Sequence, residues 1–535
     1  MDQLPKEGLI KHPMGYKIYD TSLFTSDYTL ETDVVIVGTG AGGGVTAEIL
    51  SQAGIRTILV EEGPYRDSSH FKMKETDAYP DLYQESAARK TRDKSISIYQ
   101  GRCVGGSTTV NWTTSFRTPE TTLNYWVDAY GLHDYSSEKL KPWFELMEQR
   151  LNIVPWPVPP NENNHVLAKG AEKLGWSYGA INRNIQGCGN LGYCGVGCPL
   201  DAKQSMLVTT IPEALNRGAV LLTRTRAIKL TGTQNQADWL ECLPLNRRGT
   251  GPGAYKLRIK ARYFVLSSGA MGSPSVIMRS PGLDPYHQAG KRTFLHPVNI
   301  SAGIFSHKIN GYHGAPQSVY SDHFMNQDVS GPVGFKLEVA PVHPLLTAGT
   351  LRQYGSGFKK LMKQFPHIHV MIALLRDGFH LESKGGDVVL LSDGTPALDY
   401  PLTPYLWEGF RRSYQAMAEI QWAAGAKGVM PVHDFGKMAL SRSQSFNDLK
   451  LLPLRAGWAK VVSAHVMGGC PMGHEDDESV VNLDGKHHFR DNLFVIDGSV
   501  FPTSIGANPQ LSIYGISARN ASKLRDLILQ QVSYQ

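Results

Sequence analysis

The sequence predicts an α/β fold in which a Rossmann-like parallel sheet is joined to a second, sheet-containing domain. Residues 34–37 are all apolar, which is typical of a strand buried on both faces of a parallel sheet. A glycine-rich turn follows, and a second apolar strand is expected at 57–60. At 535 residues the chain is also too long for one simple core, so two closely joined domains are expected.

The turn after the first strand contains Gly38, Gly40 and Gly43, which have the spacing G-x-G-x-x-G. In this motif the first glycine permits a tight turn, and the second lets a pyrophosphate approach the backbone. The third lets the next helix pack against the strand. The N-terminus of that helix offers free N–H groups to phosphates. Because strand, turn, helix and second strand occur in this order, the segment predicts a dinucleotide site.

Glu61 lies at the end of the second predicted strand, about 20 residues after the glycines. A carboxylate at this place can bind the hydroxyl groups of a ribose, and it disfavours a 2′-phosphate. The dinucleotide is therefore expected to be one with a free ribose, which argues against NADP.

The composition indicates a globular enzyme, with 41% hydrophobic and 19% charged residues. The net charge of +6 is spread thinly, which argues against nucleic-acid binding. The first 30 residues lack the apolar core of a signal peptide, and no apolar run reaches the roughly 18 residues of a transmembrane helix. A cytoplasmic location is expected. Six cysteines do not indicate a disulfide scaffold.

The segment 33–63 resembles the opening of the glucose–methanol–choline (GMC) oxidoreductases, and 492–499 resembles that family's returning strand. The resemblance implies an FAD-binding GMC fold, with Asp497 and Gly498 under the flavin ribityl chain. Three consecutive glycines at 42–44 and the segment 105–119 are most similar to the long-chain (fatty) alcohol oxidase branch. The domains are divided accordingly. The FAD-binding domain is expected from 30–120, 205–305 and 460–535, a Cys-containing excursion from 121–204, and the substrate-binding domain from 306–459.

A second glycine turn contains Gly105, Gly106 and Ser107, which suit another phosphate contact. The segment matches the second GMC signature, and the resemblance places Asn111 beside the flavin ring. Some members attach FAD through a histidine just before that asparagine. Here the residue is Val110, which has no nucleophilic atom, so non-covalent FAD is expected.

The reacting groups are expected near the C-terminus. The resemblance places His465 on the catalytic histidine of the family and Asn508 on its catalytic asparagine, with Asn508 and Pro509 also beside the cofactor. A neutral histidine can accept the proton of an alcohol, and an asparagine can fix the substrate oxygen without titrating. His296, in another family motif, is interpreted as structural.

Cys188, Cys194 and Cys198 lie close together in a glycine-rich loop. Their spacing is similar to that of bacterial FAD glucose dehydrogenases, which hold a 3Fe-4S iron–sulfur cluster there. Long-chain alcohol oxidases carry a similar loop without an established cluster. Both alternatives remain open at this point: ligands of a cluster, or a compact structural loop.

The sequence predicts an FAD-dependent alcohol oxidoreductase, an oxidase or a dehydrogenase. It would oxidise a primary, apolar or long-chain alcohol to the aldehyde by hydride transfer to flavin N5. The alternative is an FAD and iron–sulfur sugar or polyol dehydrogenase that passes electrons to a cytochrome or quinone. A non-catalytic flavoprotein would be expected to lack the His–Asn pair, which is present. The lysines at 358–365 form either a face that contacts a membrane or protein partner, or a solvated helix face.

Overall fold

The computed structural model describes residues 5–325, 328–329 and 331–533. Within them the strands are β1 (Lys17–Asp20), β2 (Tyr28–Val37), β3 (Thr57–Val60), β4 (Ile96–Ile98), β5 (Ile153–Pro155), β6 (Gly179–Ala180), β7 (Asn182–Asn184), β8 (Val220–Thr223), β9 (Thr225–Gly232), β10 (Ala237–Pro244), β11 (Leu257–Leu266), β12 (Thr293–Phe294), β13 (Val298–Ile304), β14 (Val319–Phe324), β15 (Phe335–Val339), β16 (Ile368–Leu375), β17 (Asp387–Leu390), β18 (Pro396–Asp399), β19 (Gly428–Pro431), β20 (Val461–Ser463), β21 (Met467–Gly468) and β22 (Leu493–Val495).

The α-helices lie between these strands and at the C-terminal end of the described chain. They are α1 (Ala41–Gln52), α2 (Glu75–Leu82), α3 (Ser107–Val110), α4 (Glu120–Tyr130), α5 (Ser137–Arg150), α6 (Glu162–Leu174), α7 (Thr210–Asn216), α8 (Gly269–Arg279), α9 (Pro344–Thr350), α10 (Gly355–Met362), α11 (Pro404–Ala424), α12 (Arg442–Leu451) and α13 (Gln510–Ser533). None of the helices in the described ranges is long and apolar enough to cross a bilayer.

The first sheet has the order β1-β8-β3-β2-β11-β10-β9, and β22 pairs with the last residues of β11. Its pairs from β1 to β11, and the pair of β11 with β22, are parallel, whereas β9 and β10 form an antiparallel extension. The apolar run 34–37 is the buried end of β2, which confirms the predicted parallel strand. The carboxyl ends of β2, β3, β11 and β22 meet at one edge, where α/β sheets bind their ligands.

The second sheet has the order β4-β20-β13-β16-β15-β14-β6, and β19 also pairs with β13. β16 is central and wholly buried, and its residues alternate between two apolar cores. Met371, Ala373 and Leu375 face one core, which includes residues of α11. Val370, Ile372 and Leu374 belong to the other. This second core is the one that borders the cavity described below.

The strand-like sequence patterns at 370–375 and 387–391 predict β16 and β17, and the helix-like pattern at 404–424 predicts α11, as the structure confirms. The second sheet also takes β4, β6, β13 and β20 from segments outside 306–459. It is therefore assembled from distant parts of the chain, and its pairs are antiparallel except for the parallel pair of β4 with β20. The domain boundaries given above remain a prediction.

Candidate active site

A cavity of about 990 Å³ runs from the carboxyl edge of the first sheet to the inner face of the second. Most of the residues that the sequence singled out line it: Gly38, Gly40, Glu61, Gly106, Ser107, Asn111, His465, Asp497, Gly498, Asn508 and Pro509. Gly43 and Gly105 lie directly behind its wall. The structure therefore brings segments from both ends of the chain to one site.

The three glycines of the first turn occupy three different environments. Gly38 has φ +99°, and a Cβ there would collide with Ser267 O at the end of β11. A Cβ on Gly43 would collide with Gly38 O, so α1 can approach β2 only without a side chain. Gly40 faces open space, where the nearest atom to a Cβ would be Gly106 Cα at 3.9 Å. This is the arrangement that lets a pyrophosphate reach the N-terminus of α1.

The two glycine turns are joined through Thr39. Its hydroxyl donates to Glu61 Oε2 at 2.6 Å and accepts from the N–H of Gly105 at 3.0 Å. The N–H of Gly63 donates to Glu61 Oε1 at 2.9 Å, and burial raises the pKa of the Glu61 carboxyl. Glu61 is thus held at the cavity edge after β3, where a ribose-binding acid is expected.

The second turn leads into the short helix α3 and then to Asn111. The Asn111 amide donates to Gln510 Oε1 at 2.6 Å, at the start of α13. Gln510 Nε2 in turn donates to Thr114 O and Ser115 Oγ, both at 2.8 Å. This network joins the segment after the second turn to the C-terminal segment that carries Asn508. Gln510 was not predicted from the sequence.

Asp497 and Gly498 follow β22 at the same edge of the sheet. Asp497 Oδ2 accepts from the N–H of Gly269 at 2.8 Å and from Ser273 Oγ at 2.7 Å. These bonds fix the start of α8 against the returning strand. A Cβ on Gly42 would collide with Ile496 O just before Asp497, so α1 is packed tightly on this strand as well.

His465 lines the cavity, and His296 lies directly behind it. Their Nδ1 atoms are 3.1 Å apart, so one ring must donate a proton to the other. Burial lowers the pKa of His465 from 6.5 to about 4, and it lowers the pKa of His296 still more strongly. Both rings are therefore neutral near pH 7. Asn508 Nδ2 lies 3.5 Å from His465 Nε2, which favours the tautomer with a free lone pair on Nε2.

His296 is itself held by Asp377, whose oxygens accept from the N–H groups of Leu295 and His296 at 3.0 Å. His296 has φ +49°, a conformation that is uncommon outside glycine. The structural interpretation of His296 is therefore incomplete, because its ring sets the tautomer and orientation of His465. The motif around His296 gave no sign of this contact, which depends on the pairing of β12 with β21.

Glu338, on β15, is the residue that sequence reasoning missed. Its Oε2 accepts from Asn508 Nδ2 at 3.2 Å and from Gln317 Nε2 at 2.6 Å. Burial raises the pKa of Glu338 from 4.5 to about 7, and the neighbouring Lys336 ammonium only partly opposes this. Asn508 Oδ1 is buried with no hydrogen-bond partner among the described residues.

The cysteine loop lies between β7 and α7, and it forms part of the cavity wall at Gly195 and Val196. All three thiols are free and half-buried, and burial raises the pKa of Cys188. Arg183 Nη2 lies 3.6 Å from Cys194 Sγ. Among the described residues, no three His, Cys, Asp or Glu side chains are placed to hold a metal ion. The geometry therefore does not support Cys188, Cys194 and Cys198 as cluster ligands.

The loop has a structural role instead. The buried Lys203 ammonium, just after it, donates to Cys194 O at 2.8 Å, and to Thr109 O and Asn111 O. Burial lowers the pKa of Lys203 to about 8. Tyr83 OH donates to Gly195 O at 2.6 Å on the other side. Lys203 thus joins the loop to the segment that carries Asn111, a contact that the sequence did not reveal.

The far part of the cavity is apolar. Its walls include the inner face of the second sheet and one side of α9, formed by Val298, Ile300, Ala340, Leu346, Leu351, Val370, Ile372, Leu374 and Val462. His465 and Asn508 lie at its inner end, and Gln317, His343, Thr347 and Thr350 also line the cavity. The cavity therefore offers a polar reaction centre next to a long apolar space.

Comparison with known proteins identifies the class. Residues 31–70 match an FAD binding domain. The open face of Gly40, the N-terminus of α1 and the carboxylate of Glu61 are groups that would hold FAD. The protein is an FAD-dependent oxidoreductase. Residues 79–298 and 382–517 match GMC oxidoreductase profiles, and the chain belongs to the GMC oxidoreductase family.

Two relatives and one solved structure illustrate the similarity. The long-chain-alcohol oxidase FAO1 of Arabidopsis thaliana is 28% identical over 94% of this chain and 67% of its own. The uncharacterized GMC-type oxidoreductase y4nJ of Sinorhizobium fredii is 26% identical over 93% of this chain and 95% of its own. The crystal structure of pyridoxine 4-oxidase from Mesorbium loti has a TM-score of 0.67 at 18% identity, covering 92% of this chain and 99% of that one. The structural likeness confirms the fold.

The raised pKa of Glu338 predicts a change of stability with pH. The folded state binds this proton more tightly than the unfolded chain, so its contribution is complete below pH 4.5 and is lost as the pH rises through about 7. This rise in the pKa of Glu338 corresponds to a change of about 3 kcal/mol in the free energy of unfolding between low and high pH. The variant Glu338→Gln cannot ionise, so it should melt at a higher temperature than the parent near pH 9 but not near pH 5. Thermal unfolding at the two pH values measures this difference. The exposed Glu172→Gln is the control, and an equal difference at both pH values for Glu338→Gln would contradict the assignment.

Proposed function

We propose that this protein oxidises primary, apolar alcohols to aldehydes, with His465 and Asn508 as the catalytic pair and FAD as a non-covalent cofactor. The observation that carries the proposal is the neutral His465 beside Asn508 at the inner end of an apolar space. A hydroxyl placed there can give its one proton to His465 Nε2 while its oxygen accepts a hydrogen bond from Asn508 Nδ2. Bound FAD supplies the acceptor for the hydride of the alcohol carbon.

Each residue of the pair is held from behind by a positioning residue. The ring of His296 fixes the His465 tautomer, and the Glu338 carboxylate accepts from Asn508 Nδ2, which fixes the orientation of the amide beside His465. Neither His296 nor Glu338 lines the cavity. Buried hydrogen-bonded supports of this kind lower the cost of orienting the substrate.

The apolar walls support an apolar substrate over a sugar or polyol. A hydroxyl-rich substrate needs a hydrogen-bond partner for each buried hydroxyl, because an unpaired one costs about 1–3 kcal/mol. Side chains such as Val298, Ile300 and Ile372 offer none. The long-chain-alcohol oxidase relatives point to the same substrate class. The alternative of an iron–sulfur sugar dehydrogenase depended mainly on the three cysteines as cluster ligands. It is less well supported, because the side chains of the described residues are not arranged to hold a metal ion there.

Non-covalent FAD predicts complete release of the cofactor on denaturation. Val110 lines the cavity before Asn111 and carries no nucleophilic atom. Acid precipitation of the purified protein should leave all yellow colour in the supernatant, measured by absorbance. Flavin that remains in the washed pellet would show a covalent bond and would contradict the prediction.

The catalytic pair predicts slow flavin reduction in its variants. His465→Ala should bind FAD normally, but alcohol should reduce the flavin about 10²–10⁴-fold more slowly, as expected for the loss of a general base. Asn508→Ala should also slow reduction, with less change in its pH dependence, because an amide does not titrate. Anaerobic stopped-flow measures both rates.

A matched control for this experiment is His488→Ala, since His488 is half-buried outside the cavity. That variant should reduce its flavin at the parent rate. If His465→Ala stayed within a few-fold of the parent, His465 would not be the base, and His296 would become the next residue to test.

The apolar space predicts a dependence on chain length. Each methylene buried against the wall contributes about 0.8 kcal/mol, so kcat/KM should rise about four-fold per added carbon until the space is filled. Ile372→Phe should narrow the space and flatten this rise while leaving ethanol oxidation unchanged. A series of 1-alkanols, assayed with oxygen and with an artificial dye, measures it. Higher kcat/KM for sugars or polyols than for any alkanol would overturn the apolar assignment.

A further inference from the structure

The outer surface beside the apolar space has an unusual distribution of charge. It is formed by α9 and α10, and from Val339 to Arg376 the chain contains no Asp or Glu. On α10, Leu361 is buried in the core that borders the cavity, whereas Lys359 and Lys360 are exposed, as is Lys363 just after the helix. In the described part of the chain, the side-chain ammonium groups of these three lysines have no ion-pair or hydrogen-bond partner.

A fourth lysine lies beside them. Lys308 is exposed in a loop whose backbone is bonded to the segment after α10, through the N–H groups of Ile309 and Asn310 and the carbonyl of Pro366. The four lysines, at 308, 359, 360 and 363, are called the basic face below.

The acids that border this surface are all engaged with other groups. Glu75 accepts from the N–H groups of Leu345 at 2.6 Å and Leu346 at 2.8 Å, at the start of α9. Asp434 pairs with Arg352, and Glu162 lies 3.6 Å from His307. These three carboxylates stand against Arg352 and the four lysines, so the surface as a whole is positive.

Large apolar side chains are exposed on the same surface. Tyr354, between α9 and α10, is 80% exposed, and Leu345 on α9 is 46% exposed. Phe435 is 54% exposed and follows Asp434, the partner of Arg352. Aromatic and aliphatic side chains among lysines are typical of surfaces that lie in the headgroup region of a bilayer.

The surface is also a wall of the cavity. Leu346, Thr347, Thr350 and Leu351 line the apolar space from α9, while Leu345 on the same helix points outward. The helix α9 therefore lies between the apolar space and the exposed Leu345, and α10, which carries two lysines of the basic face, follows it directly in the chain.

We propose that this surface docks on an anionic lipid bilayer, so that an apolar alcohol passes from the lipid into the cavity beside α9. The part about the substrate rests on the proposed function. The charge favours anionic headgroups, and the exposed Tyr354 and Leu345 favour partial insertion. An acidic protein partner would account for the lysines by charge complementarity. It would not account for the exposed apolar side chains beside the cavity, which a bilayer can bury.

Flotation of the FAD-loaded protein with vesicles tests the docking. Phosphatidylcholine vesicles that contain phosphatidylglycerol should carry the protein upward, and pure phosphatidylcholine vesicles should do so much less. The triple variant Lys359→Gln, Lys360→Gln, Lys363→Gln should bind the anionic vesicles about 100-fold more weakly, about five-fold for each lysine. High salt should weaken the parent in the same direction.

The matched control is Lys139→Gln, Lys173→Gln, Lys260→Gln, which removes the same charge from exposed sites on α5, α6 and β11. It should float like the parent. A second variant, Leu345→Ser with Tyr354→Ser, should weaken binding with little change in its salt dependence. Equal binding of the parent to neutral and anionic vesicles, or equal loss in the two lysine triples, would overturn the docking surface.

Oxidation of 1-hexanol in solution separates this inference from the proposed function. The lysine variant should keep the parent kcat/KM for 1-hexanol, because its lysines do not line the cavity. Normal hexanol oxidation without vesicle binding would overturn the docking surface alone. Vesicle binding without alcohol oxidation would leave the surface and overturn the proposed substrate.

Discussion

The backbone contact between the two glycine turns is the constraint on which the rest of the site depends. A Cβ on Gly106 would come within 2.8 Å of Gly40 Cα, so the turns can meet this closely only because Gly106 lacks a side chain. Thr39 strengthens the contact by hydrogen bonds to Glu61 on one side and Gly105 on the other. Asn111 and the contacts of Lys203, which follow the second turn, are thereby placed at the carboxyl edge of the first sheet. A larger residue at Gly106 would push the two turns apart.

Two residues on or next to the second sheet, Glu338 and His296, hold the polar groups of the cavity in place by hydrogen bonds. Glu338 stands on β15, and His296 precedes β13, while the groups they hold, Asn508 and His465, come from the C-terminal segment. The same burial that makes the cavity apolar keeps both rings neutral and holds the Glu338 proton more tightly. A low-dielectric site strengthens each remaining hydrogen bond and makes each unpaired group costly. The protonation state of Glu338 therefore affects both stability and orientation. The ionised form accepts a stronger hydrogen bond from the Asn508 amide, whereas the neutral form is the one that favours the folded state.

Sequence patterns predicted single strands and helices, but not the contacts between distant segments. The apolar runs of β2 and β16 and the length of α11 could be read from the sequence, because each is a local pattern. His465 and Asn508 came from a family resemblance, and their proximity stays a property of the tertiary structure. Glu338 could have been noticed as a lone acid in the apolar strand Phe335–Val339, yet only the fold shows what it contacts. Close spacing of the three cysteines left two interpretations open, a cluster or a structural loop, because three thiols form a metal site only if the backbone turns them toward one point.

The shape of the cavity connects these arguments to substrate choice. A reaction centre made of two uncharged groups stabilises a hydroxyl without attracting ions, and the walls beyond it add affinity in proportion to the apolar surface that a substrate buries. Selection for an apolar alcohol then requires no specific recognition of its far end. Such a substrate has low solubility in water and accumulates where lipid is present. On the proposed docking, α9 lies between that source and the cavity that His465 lines, so the position of α9 would matter as much as the chemistry of the proposed pair.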